Sequence, residues 1–242
     1  MAKAFGTGFE ASDMISVERE GSVTTITLDR PETKHALRST DLKELHAHLS
    51  AIETPVVFLT GANGAFCSGA DFSEIAAMED ERAAREFARL GQSVATSLES
   101  IDAIVIAGID GPARGGGVEL ALACDIRVAT QRATFAETGV RMGLFGAWGG
   151  THRLPALIGL GRALDIALSG RVIDADEAYQ IGLVTRIHET PLEIAHFIAE
   201  HDAAALATLK RRLRDDGSKH AKEEREAIAF GALVNRGPSL PD

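Results

Sequence analysis

Gly111-Pro112-Ala113-Arg114-Gly115-Gly116-Gly117-Val118-Glu119-Leu120-Ala121-Leu122-Ala123 follows directly on the apolar run 103–109. The run reads as a buried strand, Gly111-Pro112 breaks it, and 118–123 reads as helix. Three glycines at a strand-to-helix junction let a ligand approach backbone N–H groups that a helix start leaves unpaired. Glu119 lies just inside that helix. An earlier stretch, Gly64-Ala65-Phe66-Cys67-Ser68-Gly69-Ala70-Asp71, is placed alike, after an apolar strand at 56–59 and before another helix. N–H groups from two such loops can converge on one oxygen and stabilise a developing negative charge. A carboxylate nearby can move protons on the carbon beside a carbonyl. Ordinary turns and a capping glutamate would explain either loop taken alone.

Working outward, residues 1–12 show no period and read as a loose start. Segments 14–17 and 23–28 flank Glu20-Gly21 as a hairpin, and Pro31 ends the second strand. Ser39, Thr40 or Asp41 caps a helix with the stripe Leu42, Leu45, Leu49 and Ile52. A long helix carries Phe87, Leu90, Val94 and Leu98 on one face. Residues 126–129 form a strand and 139–151 a glycine-rich loop. Asp174 caps a helix through Ala178 and Ile181 that Gly182 stops. Strands alternating with helices imply an α/β core with largely parallel strands over 13–190. A helical region follows at 191–242. Its apolar positions Ile194, Phe197, Ile198, Leu206, Leu209, Ile228 and Leu233 suit packing on the core or on neighbouring subunits.

Composition and missing motifs narrow the chemistry. With 25 basic and 35 acidic residues the formal charge is −10, which disfavours nucleic acid. The run Lys210-Arg211-Arg212-Leu213-Arg214 reads as a solvated helix face, with a small-anion site as the other reading. The longest clean apolar run, 103–109, is far short of the roughly 20 residues of a membrane helix. No apolar leader is visible at the start, and Cys67 and Cys124 cannot build a disulfide framework. A reducing cytosol is the expected location. Neither GxGxxG nor GxxxxGK[ST] occurs, Phe66 breaks a GxSxG elbow, and no HExxH suggests a metal. Cys67 reads as a buried structural thiol.

The order of the pieces resembles the crotonase superfamily, the enoyl-CoA hydratase/isomerase family. The matching stretches are Asp29-Arg30-Pro31-Glu32 with Ala36-Leu37; Leu59-Thr60-Gly61 with Phe66 to Phe72; Gly115 to Ile126; Gly149-Gly150-Thr151 with Arg153-Leu154; and Ser169-Gly170-Arg171 through Gly182-Leu183-Val184. The resemblance implies a spiral of stacked ββα turns, with a helical C-terminal region packing in a homotrimer or homohexamer. It implies lyase or isomerase chemistry of fatty acid metabolism on an acyl-CoA thioester, through an enolate. Coenzyme A then belongs to the substrate, and no separate cofactor or metal is implied. By motif position the oxyanion donors are the N–H groups of Ala70 and Gly116, with Glu119 as acid and base. Substrate contacts fall on Lys34, Ala36, Ala70, Asp71, Phe72 and Gly116, with Gly139 and Trp148 at the acyl pocket. Lys34 suits a phosphate as a point charge.

Two departures from the family pattern matter. The second glutamate expected twenty residues after Glu119 is Gly139. Glu137 lies two residues earlier; its side chain swings in if the loop runs differently, and by default is expected to point elsewhere. Phe145-Gly146-Ala147-Trp148 replaces the usual Pro-Gly-Ala run and places the single tryptophan where it reshapes the acyl pocket. Arg114 stands where the family has an apolar residue and is expected to reach solvent. Two readings follow: an acyl-CoA enzyme with Glu119 as sole carboxylate, or a non-catalytic acyl-CoA-binding protein.

Overall fold

The computed structural model describes residues 14–237. Residues 1–13 and 238–242 lie outside that range, and with them the loose start expected over 1–12. β1 (Ile15–Glu20) and β2 (Val23–Leu28) pair antiparallel across Gly21, whose φ of +55° suits glycine. A 3₁₀ turn at Pro31–Thr33 leads to α1 (Ser39–Ser50), β3 (Val56–Gly61), α2 (Phe72–Ala76) and α3 (Glu81–Ser100). β4 (Ile104–Ile109), β5 (Pro112–Arg114) and α4 (Gly116–Ala123) form one strand–strand–helix turn. β6 (Ile126–Ala129), β7 (Thr134–Ala136), a 3₁₀ turn at Gly139–Met142, α5 (Gly150–Ile158) and α6 (Leu160–Ser169) continue the spiral. β8 (Ile173–Asp174), α7 (Ala175–Gln180) and β9 (Arg186–Ile187) close the core, followed by α8 (Pro191–Ala199), α9 (Ala203–Leu213) and α10 (Lys219–Asn235).

The strands divide between two sheets. The larger runs β1-β2-β3-β4-β6-β9, parallel from β2 onward, and the smaller runs β5-β7-β8. Because β4 pairs with β6 and β5 pairs with β7, each turn lays one strand in each sheet. Isolated parallel bridges Leu37↔Ala70 and Cys67↔Ala113 extend the smaller sheet through the earlier turns.

Burial on both faces explains the unbroken apolar strands. Val57, Leu59, Val105, Ala107 and Ile109 join the main core with residues of α1, α3 and α4. Their alternates Val56, Phe58, Ile104 and Ile106 pack on the opposite face with Ile194 and Ala195 of α8.

The cap of α1 differs from the expectation. Arg38 takes the cap position, and Asp41, three residues on, accepts its backbone N–H at 2.8 Å. Asp41 also holds Arg30 in a two-pronged pair at 2.8 and 2.9 Å, an arrangement local spacing does not reveal. Asp174 caps α7 as expected, accepting from Glu177 N at 2.8 Å. The basic run is corrected too. Lys210 is buried, with Nζ 2.8 Å from both Ala103 O and Asp125 Oδ2, and Arg214 reaches the other Asp125 oxygen at 2.8 Å. The run docks α9 onto the core. Among the described residues no helix is long and apolar enough to cross a membrane.

Candidate active site

The smaller sheet builds the site. Leu37 N donates to Gly69 O at 2.7 Å and Asp71 N donates to Leu37 O at 2.9 Å. Successive groups of an extended chain point to opposite sides, so the Ala70 N–H faces away from residue 37. One strand over, Phe66 N donates to Pro112 O at 3.0 Å and Arg114 N to Cys67 O at 2.9 Å, which clamps the second loop on the first. The approach is so close that a β-carbon on Gly69 would lie 2.7 Å from Gly116 N, and one on Gly117 would lie 2.1 Å from Cys67 O. Gly69 and Gly115 also hold φ of +86° and +45°. Glycine is thus required here by both conformation and space. Neither the Ala70 N–H nor the Gly116 N–H has a protein acceptor among the described residues.

Glu119 lies on the first turn of α4 at 1% exposure. Its carboxylate accepts from Gly150 N at 2.6 Å and from Trp148 N at 3.0 Å. Burial pushes its pKa up; those backbone donors and the Arg153 charge oppose the rise. Glycines surround it because nothing larger fits. A β-carbon on Gly146 or Gly150 would come within 2.7 or 2.8 Å of the carboxylate. Two cavities meet at this residue. One of about 240 Å³ is lined by Ala70, Phe72, Phe87, Gly116, Glu119 and Trp148. The other, of about 340 Å³, is lined by Glu119, Glu137, Gly139, Leu154, Leu164 and Leu168 among others.

Trp148 is buried and stacks its indole over two glycines. A β-carbon on Gly91 or Gly116 would lie 2.1 or 2.4 Å from the ring, and Phe87 packs 5.9 Å away, centroid to centroid. The tryptophan therefore walls the first cavity. Gly91 was not singled out in the sequence. Its signal was a glycine inside an otherwise strong amphipathic helix, which costs about 1 kcal/mol against alanine and asks for a packing reason. Arg153 binds Glu99 at 2.9 and 2.6 Å and donates to Trp148 O at 3.0 Å, so it holds the loop that carries Glu119's donors.

The two departures noted in the sequence touch each other. A β-carbon at Gly139 would lie 2.9 Å from Phe145 Cα, so the 145–148 run packs over the space a side chain at 139 would need. Glu137 corrects the sequence reading. It is 7% exposed and lines the second cavity together with Glu119. Arg114 is corrected as well. It is partly buried and donates to Thr134 O at 2.8 Å and Thr134 Oγ1 at 2.9 Å, bracing β5 on β7.

Of the remaining sequence candidates Phe72 lines the first cavity, and Lys34, Ala36 and Asp71 line neither. Asp71 is buried and caps α2, accepting from Ser73 N at 2.9 Å and pairing with Arg38 at 3.4 Å, so its carboxylate is already engaged. Ala36 is buried behind the first loop, with its carbonyl accepting from Arg30 at 2.9 Å. Lys34 is exposed in a left-handed turn with φ of 52°, and Phe72 is half-exposed. Cys67 is fully buried with its thiol pushed up to about 12 by burial, a structural thiol as expected.

Stacked turns that each lay one strand in two sheets, with glycine-flanked helix starts at the strand ends, define the crotonase class of fold. The family model described as enoyl-CoA hydratase/isomerase matches residues 18–232, and the chain belongs to that family. It is 38% identical over 210 residues to the short-chain-enoyl-CoA hydratase of Clostridium acetobutylicum, spanning 82% of this chain and 80% of that protein. An enoyl-CoA hydratase structure from Bacillus anthracis superposes with a TM-score of 0.87 at 35% identity, covering 92% of each chain. A putative enoyl-CoA hydratase from Thermobifida fusca, solved in complex with CoA, superposes at 0.84 with 27% identity, covering 92% of this chain and 93% of that one.

Proposed function

We propose that the chain binds acyl-CoA thioesters with the carbonyl oxygen between the N–H groups of Ala70 and Gly116, and that Glu119 serves as an acid–base group in the reaction that passes through the resulting enolate. The carrying observation is the pair of adjoining, unpartnered N–H groups beside a buried carboxylate. Donors aimed at one point stabilise charge as it develops, in a site already shielded from water. The Clostridium relative's named activity supports hydration of short enoyl thioesters as the reaction, and the CoA in the Thermobifida structure supports the ligand class. Isomerisation needs the same grip and one proton carrier. The nucleotide end of the thioester then passes the Lys34–Ala36 segment and Phe72. A non-catalytic binding role is the second reading, favoured by the absent carboxylate at Gly139.

Gly116→Pro removes one donor. Because a β-carbon at 116 would lie 2.4 Å from the Trp148 ring, Trp148→Phe, which alters that wall and keeps the donor, is measured beside it and should keep the carbonyl shift. In the folded Gly116→Pro variant, checked by circular dichroism, butyryl-CoA affinity should fall and the bound thioester C=O stretch should lose its shift to lower frequency. Unchanged affinity and an unchanged carbonyl stretch would sink the oxyanion assignment. A wild type that binds butyryl-CoA through these donors and turns over no enoyl thioester would favour the binding role.

The same proposal includes a homotrimer or homohexamer. Leu160, Leu164 and Leu168, spaced by four along α6, stand out from its surface, with Leu160 and Leu168 at 65% and 68% exposure. Phe197, Leu209 and Ile228 of the helical tail are likewise uncovered. A contiguous apolar stripe in water calls for a neighbour. Light scattering at micromolar concentration should give a trimer or hexamer mass; a single 25.6 kDa species would refute it.

A further inference from the structure

Among the described residues, one buried side-chain oxygen has no hydrogen-bond partner: Glu137 Oε1. Leaving such a group unpaired is costly, so its presence asks for a use. Register explains where it stands. β5 and β7 pair with Arg114 opposite Ala136, and Gly115 N donates to Ala136 O at 2.9 Å. The next residues along the two strands are therefore Gly115–Gly116, with the oxyanion donor, and Glu137. The side chain lines the cavity shared with Glu119, whose other lining is largely aliphatic, including Leu154, Leu164 and Leu168.

Electrostatics separates the two carboxyls. Burial, and to a smaller extent the Glu119 charge, pushes Glu137 up to about 8, so it carries its proton at neutral pH. Glu119 has backbone donors that favour its anion, and Glu137 has none. Two carboxyls whose surroundings push them apart can divide acid and base work.

We propose that Glu137 is a second catalytic residue, supplying the proton to the α-carbon while Glu119 takes one from the attacking water. The inference rests on the acyl-CoA reading above. Water oxygen bonds to the β-carbon, the C=C electron pair moves into an enolate held by Ala70 and Gly116, and the water's proton goes to Glu119. The enolate then forms its α C–H bond with the Glu137 proton, giving the 3-hydroxyacyl thioester. One proton passes from Glu119 to Glu137 and restores both groups. The position two residues before Gly139 matters because the 145–148 run occupies the space beside Gly139.

The test uses the full-length protein and three readouts: crotonyl-CoA hydration, butyryl-CoA affinity by calorimetry, and exchange of the butyryl-CoA α-hydrogens in D₂O at pH 9, where Glu137 is ionised. Glu137→Gln replaces a neutral acid with a near-isostere and should keep affinity within a few-fold. It should lose at least about 10²-fold in hydration and in α-exchange. Glu119→Gln should lose hydration and keep α-exchange. Wild-type hydration and exchange in Glu137→Gln overturn the assignment and leave the acyl-CoA reading standing. Loss of α-exchange in Glu119→Gln also overturns it, by giving the α-carbon to Glu119. A wild type that does not bind butyryl-CoA overturns both.

Discussion

Glu119→Gln should reduce crotonyl-CoA hydration by at least about 10²-fold, the low end for a lost acid–base group. Glutamine keeps the size, and its carbonyl oxygen can still accept from Gly150 and Trp148, now 2.6 and 3.0 Å from the carboxylate. The N–H groups of Ala70 and Gly116 are untouched, so butyryl-CoA affinity should stay within a few-fold. An alanine would be a poorer test, because it strands both backbone donors in a buried space and loosens the 146–150 loop. Steady-state kinetics beside calorimetry separates a kcat effect from a binding effect. Intact kcat in this variant would remove Glu119 from the chemistry.

The parts of this site that were legible in the sequence are those made by local rules. Glycine-bearing loops after apolar strands, one with a glycine triplet, and a carboxylate on the first helical turn are visible because backbone conformation and helix starts need particular residues nearby in the chain. The doubly buried strands β3 and β4 were legible as unbroken apolar runs. The smaller sheet was not. Pro112-Ala113-Arg114, Thr134-Phe135-Ala136 and Ile173-Asp174 are too short for any alternation to register, and only their mutual pairing makes them strands. Glu137 was misread for the same reason. Counting residues from Glu119 pointed to 139, whereas the β5–β7 register brings 137 beside the oxyanion loop. Arg114 and Lys210 were read as solvated because their partners, Thr134 and Asp125, lie far along the chain.

Lys210→Met should cost about 3 kcal/mol, the lower end for breaking a buried ion pair. Methionine keeps the length of the stem, so the change isolates the charge. Lys210 Nζ bridges Asp125 Oδ2 and Ala103 O at 2.8 Å and Leu98 O at 3.3 Å, with its side chain at 4% exposure. Its removal leaves two buried carbonyls short of a donor and one carboxylate short of a cation. Asp125 retains Arg214 at 2.8 Å and the Val105 N–H at 2.8 Å, which is why the loss stays at the low end. Arg211→Ala in the same run is the contrast. Its pair with Asp102 is 3.3 Å long and more than half exposed on both sides, so water already screens it and less than about 1 kcal/mol should go. Urea unfolding should show a lower midpoint at unchanged slope for Lys210→Met and almost none for Arg211→Ala. Equal, small shifts for both would mean that α9 rests on the core through its apolar contacts alone, and that Asp125 finds enough compensation in Arg214.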